Sequence, residues 1–228
     1  MSSLNSTEPA MEVFLFKTLW GHEGTIAEAV ALAKEADFSG IEGMYPDDPV
    51  EQESFRSAIA AEEMDFIAEV STATTPGLYV PAPGKSPTEH LDSLRAGIEK
   101  SLPAKPIFIN TMCGSDAWCE SEAAEFYGAI PALEKEYAIS ITAETHRGRY
   151  INSPWHTRFV LTEVPELKLT CDFSHFCVVA ERLILDEETE ILDLCARSAF
   201  HLQTRVGYDQ GPQVPDPRAP EHADDLAA

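Results

Sequence analysis

ISITAETH, residues 139–146, is an apolar run that stops on Glu144, Thr145 and His146. A run this short, flanked by longer segments of helical period, reads as a buried strand whose polar end reaches the surface. The same pattern recurs along the chain. Downstream, LKLTCDFSH (167–175) and FHLQTRV (200–206) read as strands six and seven, separated by helical segments at 154–163 and 186–199. Upstream, PIFINTM (106–112) reads as strand four, and the helix at 120–137 carries Pro131 as a point of kinking. DFIAEVST (65–72), GIEGMY (40–45) and EVFLFKTLW (12–20) read as strands three, two and one. Between them lie a helix near 50–63 and one that begins at Thr25, a capping residue ahead of Ile26, Val30 and Ala33 on one face. A Pro/Gly-rich loop at 73–87 precedes the helix at 88–101 and is long enough to overhang a site.

Alternating β and α segments build a parallel sheet. The expected fold class is therefore α/β, a TIM-type (β/α)8 barrel that lacks the closing eighth β/α unit. After Val206 the chain carries four prolines and no apolar run, so no eighth strand is legible. A doubly wound open sheet is the competing fold, but its nucleotide-binding forms carry a glycine-rich turn after strand one, and none is present. We expect one domain over 1–228, with 207–228 a Pro-rich acidic tail.

Sixteen Lys and Arg stand against 39 Asp and Glu, a net charge of −23, so the field of the molecule repels phosphate backbones and anionic membranes. This argues for no nucleic-acid and no membrane partner. The five cysteines, Cys113, Cys119, Cys171, Cys177 and Cys195, are odd in number and contain no CxxC pair, which suits a reducing compartment and no structural zinc. The opening MSSLNSTEPAME has neither a basic region nor an apolar stretch of signal length, and the expected location is cytoplasmic.

In a (β/α) barrel the chemistry gathers at the C-terminal ends of the strands. Strand five ends on Glu144 and His146, strand six on Asp172 and His175, and strand seven runs from His201 to Arg205. Glu, Asp and His supply oxygen and nitrogen donors for Mn²⁺, Co²⁺, Mg²⁺ or Zn²⁺, and parallel strands bring distant positions together. No pairwise spacing here is a metal motif by itself, and any one polar residue at a strand end is ordinary. Six of them at three successive strand ends are not. Glu42 and Glu69 lie on strands two and three, where pairing with a cation is an equal explanation. His22, His90, His156 and His222 read as surface or structural, and Cys113 and Cys171 as core thiols, Cys171 facing away from Asp172 by strand alternation.

AETHRGR (143–149), CDFSHF (171–176) and HLQTRVGYDQGPQVPDPRAPE (201–221) resemble the sugar phosphate isomerases and epimerases of the xylose isomerase-like barrel superfamily. That resemblance implies a divalent metal on Glu144, Asp172 and His201. It implies substrate contacts from His146, His175 and Arg205, with Glu144 and His175 catalytic. The reaction implied is proton transfer next to a carbonyl of a sugar or sugar phosphate. The family's second glutamate, on an eighth strand, has no counterpart; Glu221 is the one glutamate in the closing PDPRAPE stretch. Two other readings stay open: an inactive barrel serving as an interaction module, and a metal-dependent phosphodiesterase of the endonuclease IV type, which the charge disfavours. An unclosed sheet edge would also suit a homodimer.

Overall fold

The computed structural model describes residues 12–75, 80–208, 211 and 213–227. The readings made above on the N-terminal segment 1–11, on the loop tip 76–79 and on tail residues 209, 210, 212 and 228 fall outside them. Seven strands alternate with helices and follow the order β1-β2-β3-β4-β5-β6-β7. This is a TIM-type barrel lacking one unit, with no eighth strand among the described residues. The chain forms two compact units, 1–66 and 67–228, the cut falling within β3 (Asp65–Ser71).

In the first unit, β1 (Phe16–Thr18) pairs in parallel with β2 (Gly40–Met44). Strand one was expected over 12–20 and is only three residues long. Its pairing begins where Ser39 N–H donates to Leu15 O, so Val13 and Phe14 precede the ladder, and they and Leu15 lie exposed. Gly40 is required for packing: a Cβ there would stand 2.3 Å from Asp65 O. The helix α1 (Ile26–Glu35) starts in a Thr25/Glu28 capping box and buries Ala29, Val30 and Ala33. The next, α2 (Pro49–Ala61), is capped by Asp48 and packs Phe55 edge-on against Tyr45 and Phe66.

In the second unit, α3 (Pro87–Ser101) begins in a Ser86/Glu89 capping box. Its Gly97 lets the helix lie against Val70, where a Cβ would come within 2.4 Å. The strands β4 (Phe108–Met112), β5 (Ile141–Glu144), β6 (Lys168–Cys171) and β7 (Ala199–Leu202) are parallel, with a register irregularity between β6 and β7 at Leu169/Thr170. Helices α4 (Glu120–Tyr137), which runs on through Pro131, and α5 (Pro154–Glu163) connect them.

Strand six ends earlier than the sequence suggests. Asp172 Oδ1 accepts the Ser174 N–H at 3.2 Å, which turns the chain, and Ser174–Ala180 form a helix, α6, ahead of α7 (Thr189–Ser198). His175 therefore stands in the first turn of a helix, not on a strand. The tail is also more ordered than its composition implies. Val214 is buried with its N–H on Val206 O, and Ala223–Ala227 form a short helix, α8.

Candidate metal-binding active site

The inward faces of β4, β5 and β6 are polar. Asn110, Thr142 and Thr170 are all buried there, and Thr142 Oγ1 lies 2.7 Å from Thr170 Oγ1 and 3.3 Å from Asn110 Oδ1. One step nearer the C-terminal end, Asn110 Nδ2 donates to Glu144 Oε2 at 2.8 Å, and Gln203 Nε2 donates to the same oxygen at 3.3 Å. Because a carboxylate can only accept, the orientation of the Asn110 amide is fixed by the chemistry of its neighbours.

Thr145 joins the ends of β5 and β6. Its hydroxyl donates to Asp172 O at 3.0 Å and accepts the Asp172 N–H at 2.8 Å. Glu144 and His146, on either side of Thr145, are thereby placed beside the turn that carries Asp172 and His175. After His146 the chain reverses, with Arg149 N–H donating to His146 O. The Arg149 side chain is fully buried and donates through Nη1 to Thr72 O and Gly114 O, tying the residues just past β3 and β4 to this turn.

Glu144, His146 and His175 form a buried cluster in which one donor atom from each lies within 4.8 Å of the other two. The two imidazoles are 4.0 Å apart, centroid to centroid. Both are held neutral. Burial, opposed by a hydrogen bond to the Arg147 carbonyl, pushes His146 down to about 4. Burial, together with the adjacent His146 ring and the positive charges of Arg205 and Arg147, pushes His175 down to about 2. His146 Nδ1 lies 2.6 Å from the Arg147 carbonyl, which fixes the proton on Nδ1 and leaves Nε2 with its lone pair. His175 has no hydrogen-bond partner on either ring nitrogen among the described residues. A buried neutral imidazole with an unused lone pair, beside a carboxylate, is what a divalent cation requires.

Asp172 is fully buried, and burial raises its carboxyl pKa against the opposing pull of Arg205 and Ser174. Its Oδ1 accepts from Ser174 Oγ at 2.5 Å, and its Oδ2 is ion-paired with Arg205 Nη2 and lies 3.5 Å from His175 Nε2. The His201 ring lies 5.4 Å from that of Phe108, two residues before Asn110 on β4, and His201 pairs in register with Thr170, the residue that also pairs with Glu144. Gln203, two residues further along, is the residue that reaches Glu144 from this part of the chain.

Thus Glu144, His146 and His175 are brought together, Asp172 and Arg205 adjoin them as an ion pair, and His201 is not one of the three clustered donors. Asn110 and Gln203 were not anticipated. The signal for Asn110 was an amide inside the apolar run PIFINTM; for Gln203 it was the two-residue period that places it on the face of His201. The core-thiol reading of Cys113 and Cys171 agrees with their burial, which pushes both thiols up to about 12.

No protein-family model and no curated protein sequence matches the chain. Solved structures do match its fold. A xylose isomerase-like TIM barrel protein from Mycobacterium smegmatis, in complex with magnesium, superposes with a TM-score of 0.61 at 13% identity over 84% of this chain and 74% of its own. The probable 3-DHS dehydratase AsbF from Bacillus anthracis gives 0.57 at 15% identity over 83% and 72%. The 3-keto-D-glucoside 4-epimerase YcjR from E. coli gives 0.55 at 12% over 94% and 98%. No helix among the described residues is long and apolar enough to cross a membrane.

Proposed function

We propose that this chain is a divalent-metal-dependent isomerase or epimerase that moves a proton next to the carbonyl of a sugar or sugar phosphate. The observation that carries the reading is the buried Glu144–His146–His175 cluster, with both His175 nitrogens lacking hydrogen-bond partners among the described residues. The donor chemistry suits the group: two neutral imidazoles and one carboxylate make the nitrogen and oxygen set of a catalytic metal with open positions. Glu144, His146 and His175 would hold the ion, which supplies Lewis-acid polarisation of a substrate carbonyl. This set shares Glu144 with the one the family resemblance implies. Our reading adds His146 and His175 as ligands, and Asp172 and His201 stay with the set that the resemblance implies.

The remaining work falls to the chain's own side chains. Asn110 and Gln203 fix Glu144 Oε2, so the carboxylate meets the substrate in one orientation and takes up or returns the proton on the carbon beside the carbonyl. Arg205 orients substrate oxygens at the edge of the site. Support for a small polyhydroxy substrate comes from the fold shared with a keto-glucoside epimerase and a dehydratase, and from a surface too acidic to hold a nucleic acid.

The test has two parts. Elemental analysis after dialysis with Mn²⁺ or Co²⁺ should find near one ion per chain in the wild type and little in Glu144→Gln or His175→Ala. The loaded protein, incubated with a panel of ketoses in D₂O, should then exchange the hydrogen next to the carbonyl. Equal metal in wild type and variants would place the ion elsewhere, and metal without exchange on any ketose would remove the isomerase assignment.

A further inference from the structure

We infer, on the metal reading above, that the turn His146–Arg149 selects the tautomer of His146 and so decides which of its nitrogens meets the cation. In this device Gly148 supplies the turn's conformation and Arg149 its anchor, both as positioning residues. The turn is closed by the Arg149 N–H on His146 O at 3.1 Å. Gly148, its third residue, has φ +74°, and Arg147, its second, is not left-handed. A turn that is left-handed at its third residue alone is of type II, and glycine adopts that conformation without strain.

Turn type matters because of the Arg147 carbonyl. Types I and II differ by a rotation of the central peptide through roughly 180°, which carries the carbonyl of the second residue from one face of the turn to the other. In the type II form, Arg147 O lies 2.6 Å from His146 Nδ1. A carbonyl oxygen only accepts, so the imidazole donates and its proton sits on Nδ1. Nε2 then carries the lone pair. Rotating that peptide would withdraw the acceptor and release the choice of tautomer. With it would go the ring orientation that sets His146 in the cluster with Glu144 and His175.

Arg149 holds the turn against the neighbouring strand ends. Its fully buried guanidinium donates through Nη1 to Thr72 O at 2.9 Å and to Gly114 O at 3.2 Å. Both acceptors are themselves fixed. The Thr72 N–H donates to Met112 O, and its hydroxyl lies 2.7 Å from His90 Nδ1. Gly114 is packed so closely against Tyr127 that a Cβ would stand 2.8 Å from the phenol oxygen. A charge is costly to bury, and this one joins the turn after β5 to the residues just past β3 and β4. The turn cannot swing without parting the guanidinium from these carbonyls.

The experiment reads the tautomer directly. In metal-free protein labelled with ¹⁵N-histidine, two-bond ¹H–¹⁵N correlation spectra report which nitrogen of each ring is protonated, and the signals lost in His146→Gln identify His146. Wild type should show His146 as the Nδ1–H tautomer alone. In Gly148→Ala the new Cβ would meet only Pro81 Cδ, at 3.9 Å, so the substitution acts through backbone conformation and not through a clash. It should bring His146 to a mixture of tautomers and weaken Mn²⁺ binding, measured by chelator competition, by about 10- to 100-fold. Gly148→Asn, which tolerates the left-handed region, should recover most of both. Arg149→Lys keeps the charge but presents it on a point ammonium without the rigid guanidinium plane. It should fall between the two Gly148 variants in both readouts, and it serves if the alanine variant folds poorly. His146 as the Nε2–H tautomer in wild type, or the wild-type spectrum in Gly148→Ala, would overturn the selection, and wild-type spectrum and affinity in Arg149→Lys would overturn the anchor. Because the spectra are taken without metal, they stand apart from the metal reading, which fails instead if wild type shows no Glu144-dependent binding.

Discussion

Replacing Asn110 by leucine isolates what holds Glu144 in place. Asn110 is 1% exposed, donates to Glu144 Oε2 at 2.8 Å and accepts from Thr142 Oγ1 at 3.3 Å. Leucine has the same branched four-atom skeleton with larger methyl groups, so the change removes polarity and leaves no cavity. A hydrogen bond to a charged group contributes about 1.5–3 kcal/mol, and the Gln203 donor to that oxygen, at 3.3 Å, is the longer of the two. Thr142 keeps Thr170 and Ile109 O as partners, so its loss is small. Asn110→Leu should therefore cost about 2 kcal/mol in urea unfolding without metal. Residues that orient a metal ligand typically change metal affinity 10- to 100-fold, and Mn²⁺ binding should weaken by that order. Asn110→Asp separates electrostatics from packing. A second carboxylate beside Glu144 should cost more stability than leucine in the absence of metal, yet bind Mn²⁺ more tightly than the leucine variant. Stability within 0.5 kcal/mol of wild type together with unchanged Mn²⁺ affinity for Asn110→Leu, a threshold set by the scatter of surface substitutions, would refute the assignment of Asn110 as the residue that positions Glu144.

His90 should make the fold acid-sensitive. It is fully buried against Trp118 and Phe126, with Nδ1 on Thr72 Oγ1, and burial pushes it from 6.5 down to about 4. The unfolded chain binds this proton as pH falls through 6.5 while the folded one resists until about 4. Stability present above 6.5 is thus lost between those values, at a slope approaching about 1.4 kcal/mol per pH unit, and the contribution is exhausted below 4. Urea unfolding from pH 7.5 to 4 should show a shallower fall for His90→Gln than for wild type; parallel curves would exclude His90 as the source. Thiol accessibility gives a simpler check. Cys119 is exposed and the other four cysteines are buried, with Cys113, Cys171 and Cys195 pushed up to about 12, so a disulfide reagent should titrate one thiol rapidly in native protein and five in denaturant. Rapid reaction of a second thiol, or loss of the fast phase other than in Cys119→Ser, would contradict the packing around α6 and α7.

Capping boxes at Thr25 and Ser86, apolar runs at 40–44, 65–71, 108–112 and 141–144, and the polar residues closing those runs are local features, and the sequence alone determined them. Period and capping chemistry act over a few residues, so the alternation of strands and helices, and with it the barrel class, was legible before any coordinate. Element ends were less so. Strand one shortened to Phe16–Thr18 because a strand extends only as far as its partner does, and strand six gave way to α6 because the Asp172 carboxylate competes for the Ser174 N–H. The composition of the site was only half legible. Glu144 and His146 flank Thr145 in sequence, but it is the Thr145 hydroxyl on the Asp172 backbone that brings His175 to them. Which donors converge depends on strand register and on a helix turn of 100° per residue. That geometry set the His201 ring near Phe108, Gln203 on Glu144 and Arg205 on Asp172. The chain specifies its donors locally; register across β5, β6 and β7 decides which of them meet.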